Sequence, residues 1–242
     1  MRARDTVINL VGAVHQPSPR AYFALHETGA RRIAEAASAA RAGRLIHVSA
    51  LGVADDAPAA ADRSKAAGER AVRAAFPGAV VLRPSLVFAE DDHFLARIAA
   101  MSRRSPVIPL IGAATRVQPV HVEDMVEGVA RLLENAADEA APLYQIAGPK
   151  VYALQGLVRD VLDGLGRRRL VLPLPYAVAL PLGRLLGLFP NAPFNRDQVY
   201  LMMTDKVAVA GLPGLEALGV RPRSLQNWLE APGGRYGRIP AD

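Results

Sequence analysis

Short apolar runs recur along the first 150 residues, and each ends at a small or polar residue. Thr6 to Val14 is rich in β-branched side chains and reads as a buried strand closing near Gly12. Arg44 to Val48, Ala79 to Leu82, Val117 to Val120 and Leu143 to Ile146 read as further strands, ending near Ser49, Arg83-Pro84-Ser85, the Val122 helix and Gly148-Pro149. Between them the apolar positions recur at helical spacing. Helices are expected over Tyr22 to Arg41 (stopped by Gly43), Arg63 to Phe76 (closed by Pro77-Gly78), Phe94 to Arg103, and Val122 to about Asn135.

Strands alternating with helices predict a parallel sheet covered on both faces. Past residue 150 the alternation stops. Leu154 to Leu165, Tyr176 to Leu188 and Ser224 to Leu229 read as helices, with Pro173, Pro175, Pro181, Pro190 and Pro193 cutting the region into short pieces. The expected fold class is α/β, with a mostly helical C-terminal lobe packed on the sheet.

Composition narrows the function classes. The chain has 242 residues, 51% of them hydrophobic, so disorder is excluded. It holds no cysteine, which removes disulfides, thiolate metal sites and cysteine nucleophiles. The longest uncharged apolar stretch, Leu170 to Gly183, is broken by prolines and too short to span a bilayer, so no transmembrane segment is expected. The net charge is +6, but basic residues are not interleaved with exposed aromatics and no reading helix is visible, which argues against nucleic acid. The dense basic cluster is Arg167-Arg168-Arg169. Only Lys65, Lys150 and Lys206 are lysines among 29 basic residues, so each invites a reason.

In open parallel sheets, ligands bind beyond the carboxyl ends of the strands. The candidates there are Asn9, Gly12, Ser49, Pro84 and Ser85, together with Lys65 on the following helix. Asn9 either lines a ligand or satisfies neighbouring backbone. Ser49 either supports a ligand or ends its strand. Lys65 either meets a ligand hydroxyl or pairs with Glu69 four residues on. His121, Glu123 and Asp124 are read as a helix start, since acidic groups favour helix N-termini. His15 and His26 lack metal-ligand partners at a convincing spacing, and no metal site is assigned.

Several segments resemble the extended and atypical short-chain dehydrogenase/reductase superfamily, whose members include NAD-dependent epimerases and dehydratases. Val7-Ile8-Asn9-Leu10-Val11-Gly12 resembles its fourth strand, and Leu45-Ile46-His47-Val48-Ser49 its fifth strand with a terminal serine. Ser64-Lys65-Ala66-Ala67-Gly68-Glu69 resembles the helix carrying the Tyr-x-x-x-Lys pair, and Leu82-Arg83-Pro84-Ser85-Leu86-Val87-Phe88 the next strand. Pro106-Val107-Ile108-Pro109-Leu110-Ile111-Gly112, Arg196-Asp197-Gln198-Val199 and Leu212-Pro213-Gly214-Leu215-Glu216-Ala217-Leu218-Gly219-Val220 are similar to one branch. That branch is the NAD(P)H-binding, reductase-like accessory subunit of respiratory complex I and its bacterial relatives.

The resemblance implies a Rossmann-like doubly wound sheet whose N-terminal strands are absent here. Residues 1–150 would be a partial NAD(P)-binding domain starting near its fourth strand, and 151–242 a helical substrate or docking lobe. On the order of 70 residues would be missing by the usual size of such units, leaving Thr6 to Val14 as a bare sheet edge. The chain has no Gly-x-x-Gly-x-x-Gly turn for a cofactor pyrophosphate. Four residues before Lys65, where the acid/base tyrosine is expected, stands Ala61.

These departures imply a catalytically silent or impaired protein in which binding of NADP(H) or NAD(H) is lost or merely structural, with Ser49 and Lys65 as remnants. The alternatives are an active nucleotide-sugar epimerase, dehydratase or reductase, and a non-functional fragment of a longer product. The expected partners are complex I subunits or a missing N-terminal half. The expected location is cytoplasmic, peripheral on the inner membrane. Leu170 to Pro190 reads equally as a docking surface for anionic lipid or protein and as a lobe packed on the sheet.

Overall fold

A computed structural model describes residues 5–13, 15–90, 92–134, 142–189 and 194–230. Val14, Asn135, Pro190 and Pro193, which the sequence places in a strand, at a helix end and in the proline-broken region, lie outside them.

The chain opens with β1 (Thr6–Asn9), then α1 (Pro19–Phe23), a π-helical segment (Ala24–Gly29) and α2 (Ala30–Ala39). There follow β2 (Arg44–Val48), α3 (Ala60–Ala75), β3 (Val80–Pro84), β4 (Val87–Phe88) and α4 (His93–Arg104). Next come β5 (Val107–Ile111), β6 (Arg116–Val117), β7 (Val120–His121), α5 (Val122–Glu134) and β8 (Leu143–Ile146). The last part holds β9 (Tyr152–Ala153), α6 (Leu154–Gly164), β10 (Leu170–Leu174), α7 (Tyr176–Leu186), α8 (Arg196–Leu201), a 3-10 turn (Leu215–Leu218) and α9 (Leu225–Glu230).

The main sheet is parallel, in the order β1-β2-β3-β8. Side chains alternate across it, as the strand repeat of two requires. Leu45 faces α2 and α3 with Ala30, Ala34 and Val72. Its neighbour Ile46 faces the other way, into a cluster with Leu82, Tyr144, Leu132 of α5 and Leu215. The expected α/β class with helices on both faces is therefore present. Among the described residues β1 forms one edge of this sheet, and Ile8 on it is 38% exposed. A third cluster joins Phe88, Leu95, Ile98 and Ile108 to Leu157, Val158 and Val161 of α6, so residues on both sides of position 150 share one core.

The observed elements depart from the pattern-based expectation in several places, the first being that the strand expected from Thr6 ends at Asn9. The expected Tyr22 helix begins at Pro19, where Ser18 accepts a hydrogen bond from Ala21 N at 3.2 Å and proline occupies the first turn. The expected Arg63 helix begins three residues early, at Ala60, because Asp197 accepts hydrogen bonds from Ala60 N (2.6 Å) and Ala61 N (3.2 Å). The expected Val117 to Val120 strand is two strands, β6 and β7, split at Pro119, which has no amide hydrogen to donate to a ladder. Finally β5 and β10 pair in a separate parallel ribbon, Leu170 opposite Val107. The apolar run from Leu170 is thus a strand lying against the residues around Ile108.

Candidate functional site

A cavity of about 210 Å³ opens beyond the carboxyl ends of β1, β2 and β3. Its wall includes Ala13, Ala50, Ala61, Lys65, Pro84 and Ser85, with Thr115, Met202 and Lys206 brought from later segments. Helix α3 supplies the charged part. Ala61 and Lys65 are four residues apart, so they share one helical face. Asp62 is 3% exposed at its side chain and pairs with Lys206 at 2.7 Å.

Lys206 reaches the site because of a close backbone approach. Gly52 has φ +74°, and a Cβ there would overlap the carbonyl oxygen of Asp205. The Lys206 carbonyl in turn accepts a hydrogen bond from Ser85 Oγ at 2.6 Å. The ammonium of Lys65 has no hydrogen-bond or ion-pair partner among the described residues, although it lines the same cavity. Burial pushes its pKa down against the pull of Asp62, and the Lys206 ammonium adds to the depression. Burial raises Asp62 above the usual carboxylate range, opposed by Lys206.

The cavity thus sorts the sequence candidates. Lys65, Pro84 and Ser85 line it. The alternative pairing of Lys65 with Glu69 is absent, because Glu69 accepts a fork from Arg83, with Nε at 2.9 Å and Nη2 at 2.8 Å. Ser85 is already engaged: besides donating to Lys206, its hydroxyl accepts from Gln118 N at 3.0 Å. Asn9 is buried and internally satisfied, with Oδ1 accepting from Val11 N at 3.0 Å and Nδ2 lying 3.1 Å from His47 Nδ1. Gly12 is exposed and contributes no cavity wall. Ser49 is also outside the lining, yet its buried hydroxyl oxygen has no hydrogen-bond partner among the described residues.

At the α5 start, His121 Nδ1 accepts from Glu123 N at 3.3 Å, while Asp124 Oδ2 accepts from Arg223 N at 2.7 Å. Glu123 and Asp124 stand in the first turn of α5, where acidic groups are favoured, and they also hold the C-terminal segment through Arg223.

Two functional groups escape a reading by spacing alone. Lys206 stands out in the sequence only as one of three lysines. His26, discounted as a metal ligand, sits 3% exposed behind the cavity wall and ties three elements together. Its Nε2 accepts from Ala13 N at 3.1 Å, and its Nδ1 lies 2.8 Å from Ser64 Oγ, which donates to Ala61 O at 2.8 Å. That pattern fixes the neutral tautomer with the proton on Nδ1.

A parallel sheet with a cavity at its strand ends has the arrangement in which open α/β sheets bind their ligands. Residues 13–179 match the RmlD substrate binding domain family, and the chain belongs to that family. It is similar to the mitochondrial NADH dehydrogenase (ubiquinone) 1 alpha subcomplex subunit 9 of Rattus norvegicus, at 36% identity over 92% of this chain and 59% of the relative. The chain therefore spans about three-fifths of that relative's length. A ceramide reductase of Caulobacter vibrioides is 35% identical over 51% of this chain and 38% of its own. In fold, the chain is similar to the dTDP-glucose 4,6-dehydratase of Streptomyces venezuelae solved with NAD bound. The TM-score is 0.70 at 20% identity, over 97% of this chain and 72% of that one.

Proposed function

We propose that the Lys65 cavity holds one end of an NAD(P) cofactor as a structural ligand, in a reductase-like protein with no turnover by the tyrosine route. The observation that carries this reading is the α3 face on which Ala61 and Lys65 stand together at the cavity wall. The cation that would meet a ribose hydroxyl is there, and the phenol that would move the proton is replaced by a methyl group. Among the described residues, no tyrosine lines the cavity. Tyr22 lines a separate cleft, its phenol pushed up to about 12 by burial and Asp197, and Tyr176 hydrogen-bonds Thr115 Oγ1 at 3.2 Å.

The residues fit the nicotinamide end of the cofactor. Among the described residues the Lys65 ammonium at the wall has no hydrogen-bond or ion-pair partner, and most of the remaining lining is apolar. The cavity is smaller than the roughly 300–1,000 Å³ usual for a whole ligand, so it suits one end of a dinucleotide. A nicotinamide cofactor supplies hydride transfer when it reacts. Here Lys65 would hold a hydroxyl and Pro84 would bound the ring pocket, while Asp62, tied to Lys206, balances charge.

The similarity to a complex I subunit supports a role as an accessory component of a respiratory NADH dehydrogenase, peripheral to the membrane. Among the described residues no helix is long and apolar enough to cross one. The second reading, an active reductase or epimerase, is supported by the ceramide reductase similarity and by the substrate binding domain family match.

Thermal shift tests the first reading. NADPH or NADH should raise Tm with ligand concentration in the wild type and not in Lys65→Met. A Tm that ignores both cofactors overturns it, and steady turnover of a nucleotide sugar establishes the second.

A further inference from the structure

Lys65 meets its cavity among walls that offer a positive charge little. Pro84, Leu86, Phe94 and Val117 are apolar, and one turn toward the start of α3 stands the methyl group of Ala61. The carboxylates around the lysine are held by other groups. Asp62 is bound to Lys206 Nζ at 2.7 Å. Glu69, four residues on, accepts the Arg83 fork and lies 3.6 Å from Arg73 Nη1. Asp197 accepts from the amides of Ala60 and Ala61. The rings of His26 and His47, pushed down to about 4, are neutral at pH 7 and add no charge of either sign.

Lys206 brings a second ammonium to the same cavity. A lysine desolvated in an apolar pocket, or set beside another cation, is held partly as the free amine, and the free amine is a nucleophile. Burial is the main cause here and Lys206 adds to it, against the pull of Asp62 and Glu69. Lys65 is half-buried rather than sealed, so its amine can be reached through the cavity.

We propose that Lys65 is an imine-forming amine and that its cavity captures short aldehydes or ketones with an apolar tail. The nitrogen lone pair attacks the carbonyl carbon, and the displaced C–O electron pair takes a proton to give a carbinolamine. Two hydrogens in all leave the nitrogen and depart with the carbonyl oxygen as water, leaving a C=N bond and consuming no oxidant or reductant. A space of about 210 Å³ limits the compound to a short one, below the roughly 300–1,000 Å³ usual for a whole ligand. Because Asp62 and Lys206 neutralise each other, the tail need carry no charge. The proposal goes beyond the cofactor reading, and a dinucleotide and a carbonyl compound would compete for the one amine.

Reductive trapping tests it. Wild-type protein is treated with butanal and sodium cyanoborohydride, which reduces an imine to a stable secondary amine, and butylation of each lysine is followed by peptide mass spectrometry. Lys150, exposed at the surface, is the reference within the same molecule. At pH 7 Lys65 should be butylated about tenfold or more faster than Lys150. The ratio should fall toward pH 9, where ordinary lysines begin to deprotonate, and the preference should vanish in urea. A Lys65 rate at or below that of Lys150 overturns the proposal. So does preferential labelling of Lys206, a ratio that does not fall with pH, or a preference that survives urea. NADPH separates this proposal from the cofactor reading. Added cofactor should slow the Lys65 reaction by about tenfold or more and leave Lys150 unchanged. Fast labelling that ignores NADPH keeps the imine site and sinks the cofactor reading, whereas slow labelling in a protein whose Tm rises with NADPH does the reverse.

Discussion

Acidification from pH 7 to pH 5 should cost the protein much of its stability through two buried histidines. His26 receives the Ala13 amide hydrogen on Nε2, and His47 Nδ1 faces the Asn9 amide nitrogen. Asn9 Oδ1 is taken by Val11 N, so Nδ2 is the group that donates to His47. Protonating either ring would point a new N–H at an existing donor. Burial above all pushes both rings down to about 4; the Lys65 ammonium adds to the depression, and Glu69 opposes it at His47. The unfolded chain titrates near 6.5 and takes up these protons first, so the stabilisation is complete above pH 6.5 and is lost as pH falls toward 4. At 1.36 kcal/mol per pH unit, each ring costs about 2 kcal/mol at pH 5. The pair costs about 4 kcal/mol, against a total stability of about 5–15 kcal/mol for an ordinary domain. Asp62 works the other way, because its raised carboxyl favours the folded state as pH falls. The decisive measurement is therefore a difference between variants. Urea unfolding of wild type and His26→Gln at pH 7 and pH 5 should show a pH-dependent loss smaller by about 2 kcal/mol in the variant. Equal losses in the two proteins would refute the hydrogen-bond account of His26.

Removing Lys206 leaves Asp62 buried without its cation, so Lys206→Ala should lose about 3–5 kcal/mol in urea unfolding at pH 7. The double variant Asp62→Leu/Lys206→Met should recover most of that loss, since no buried charge is then stranded. Gly68 is where α3 meets the π-helical segment, and a Cβ there would overlap the His26 carbonyl oxygen. Both sides of that contact are backbone, so Gly68→Ala should destabilise by about 3 kcal/mol, read as a lower Tm by calorimetry.

Strands whose bounds follow from an unbroken apolar run were legible in the chain. Leu143 to Ile146 has the bounds its apolar run implies, and Arg44 to Val48 is a strand buried on both faces. Elements finished by distant groups were not. The start of α3 depends on Asp197, 137 residues away, and no local pattern marks Ala60 as a helix start. The π-helical segment likewise depends on Gly68 letting the His26 carbonyl approach α3. In the site, Ala61 and Lys65 were readable from helical spacing once the resemblance had named the expected pair. Ser85 and Asn9 read as ligand residues because strand ends attract ligands, but their hydrogen-bonding capacity is spent on Lys206, Gln118, Val11 and His47. His26 carries no signal in the sequence, because its partners are a serine 38 residues on and a backbone amide, and neither forms a spacing motif.

The scarcity of lysine in an arginine-rich chain proves informative in physical terms. Lys150 lies over the Tyr152 ring, 4.5 Å from its centroid, and the other two lysines meet at one cavity. A guanidinium is broad and planar and favours forked contacts, whereas an ammonium is a compact charge on a flexible stem. In a space of about 210 Å³, Lys206 can reach a single Asp62 oxygen at 2.7 Å and leave room beside it, which a guanidinium fork would fill. The cavity then holds two cations against one carboxylate, with one ammonium unpaired and apolar wall around it. A purely apolar ligand would leave Lys65 desolvated for nothing, and a small free anion would leave the apolar wall unused. The surface asks for a ring that carries hydroxyl or anionic groups along one edge, which is the shape of one end of a dinucleotide and the reason Lys65→Met is the variant on which the cofactor reading turns.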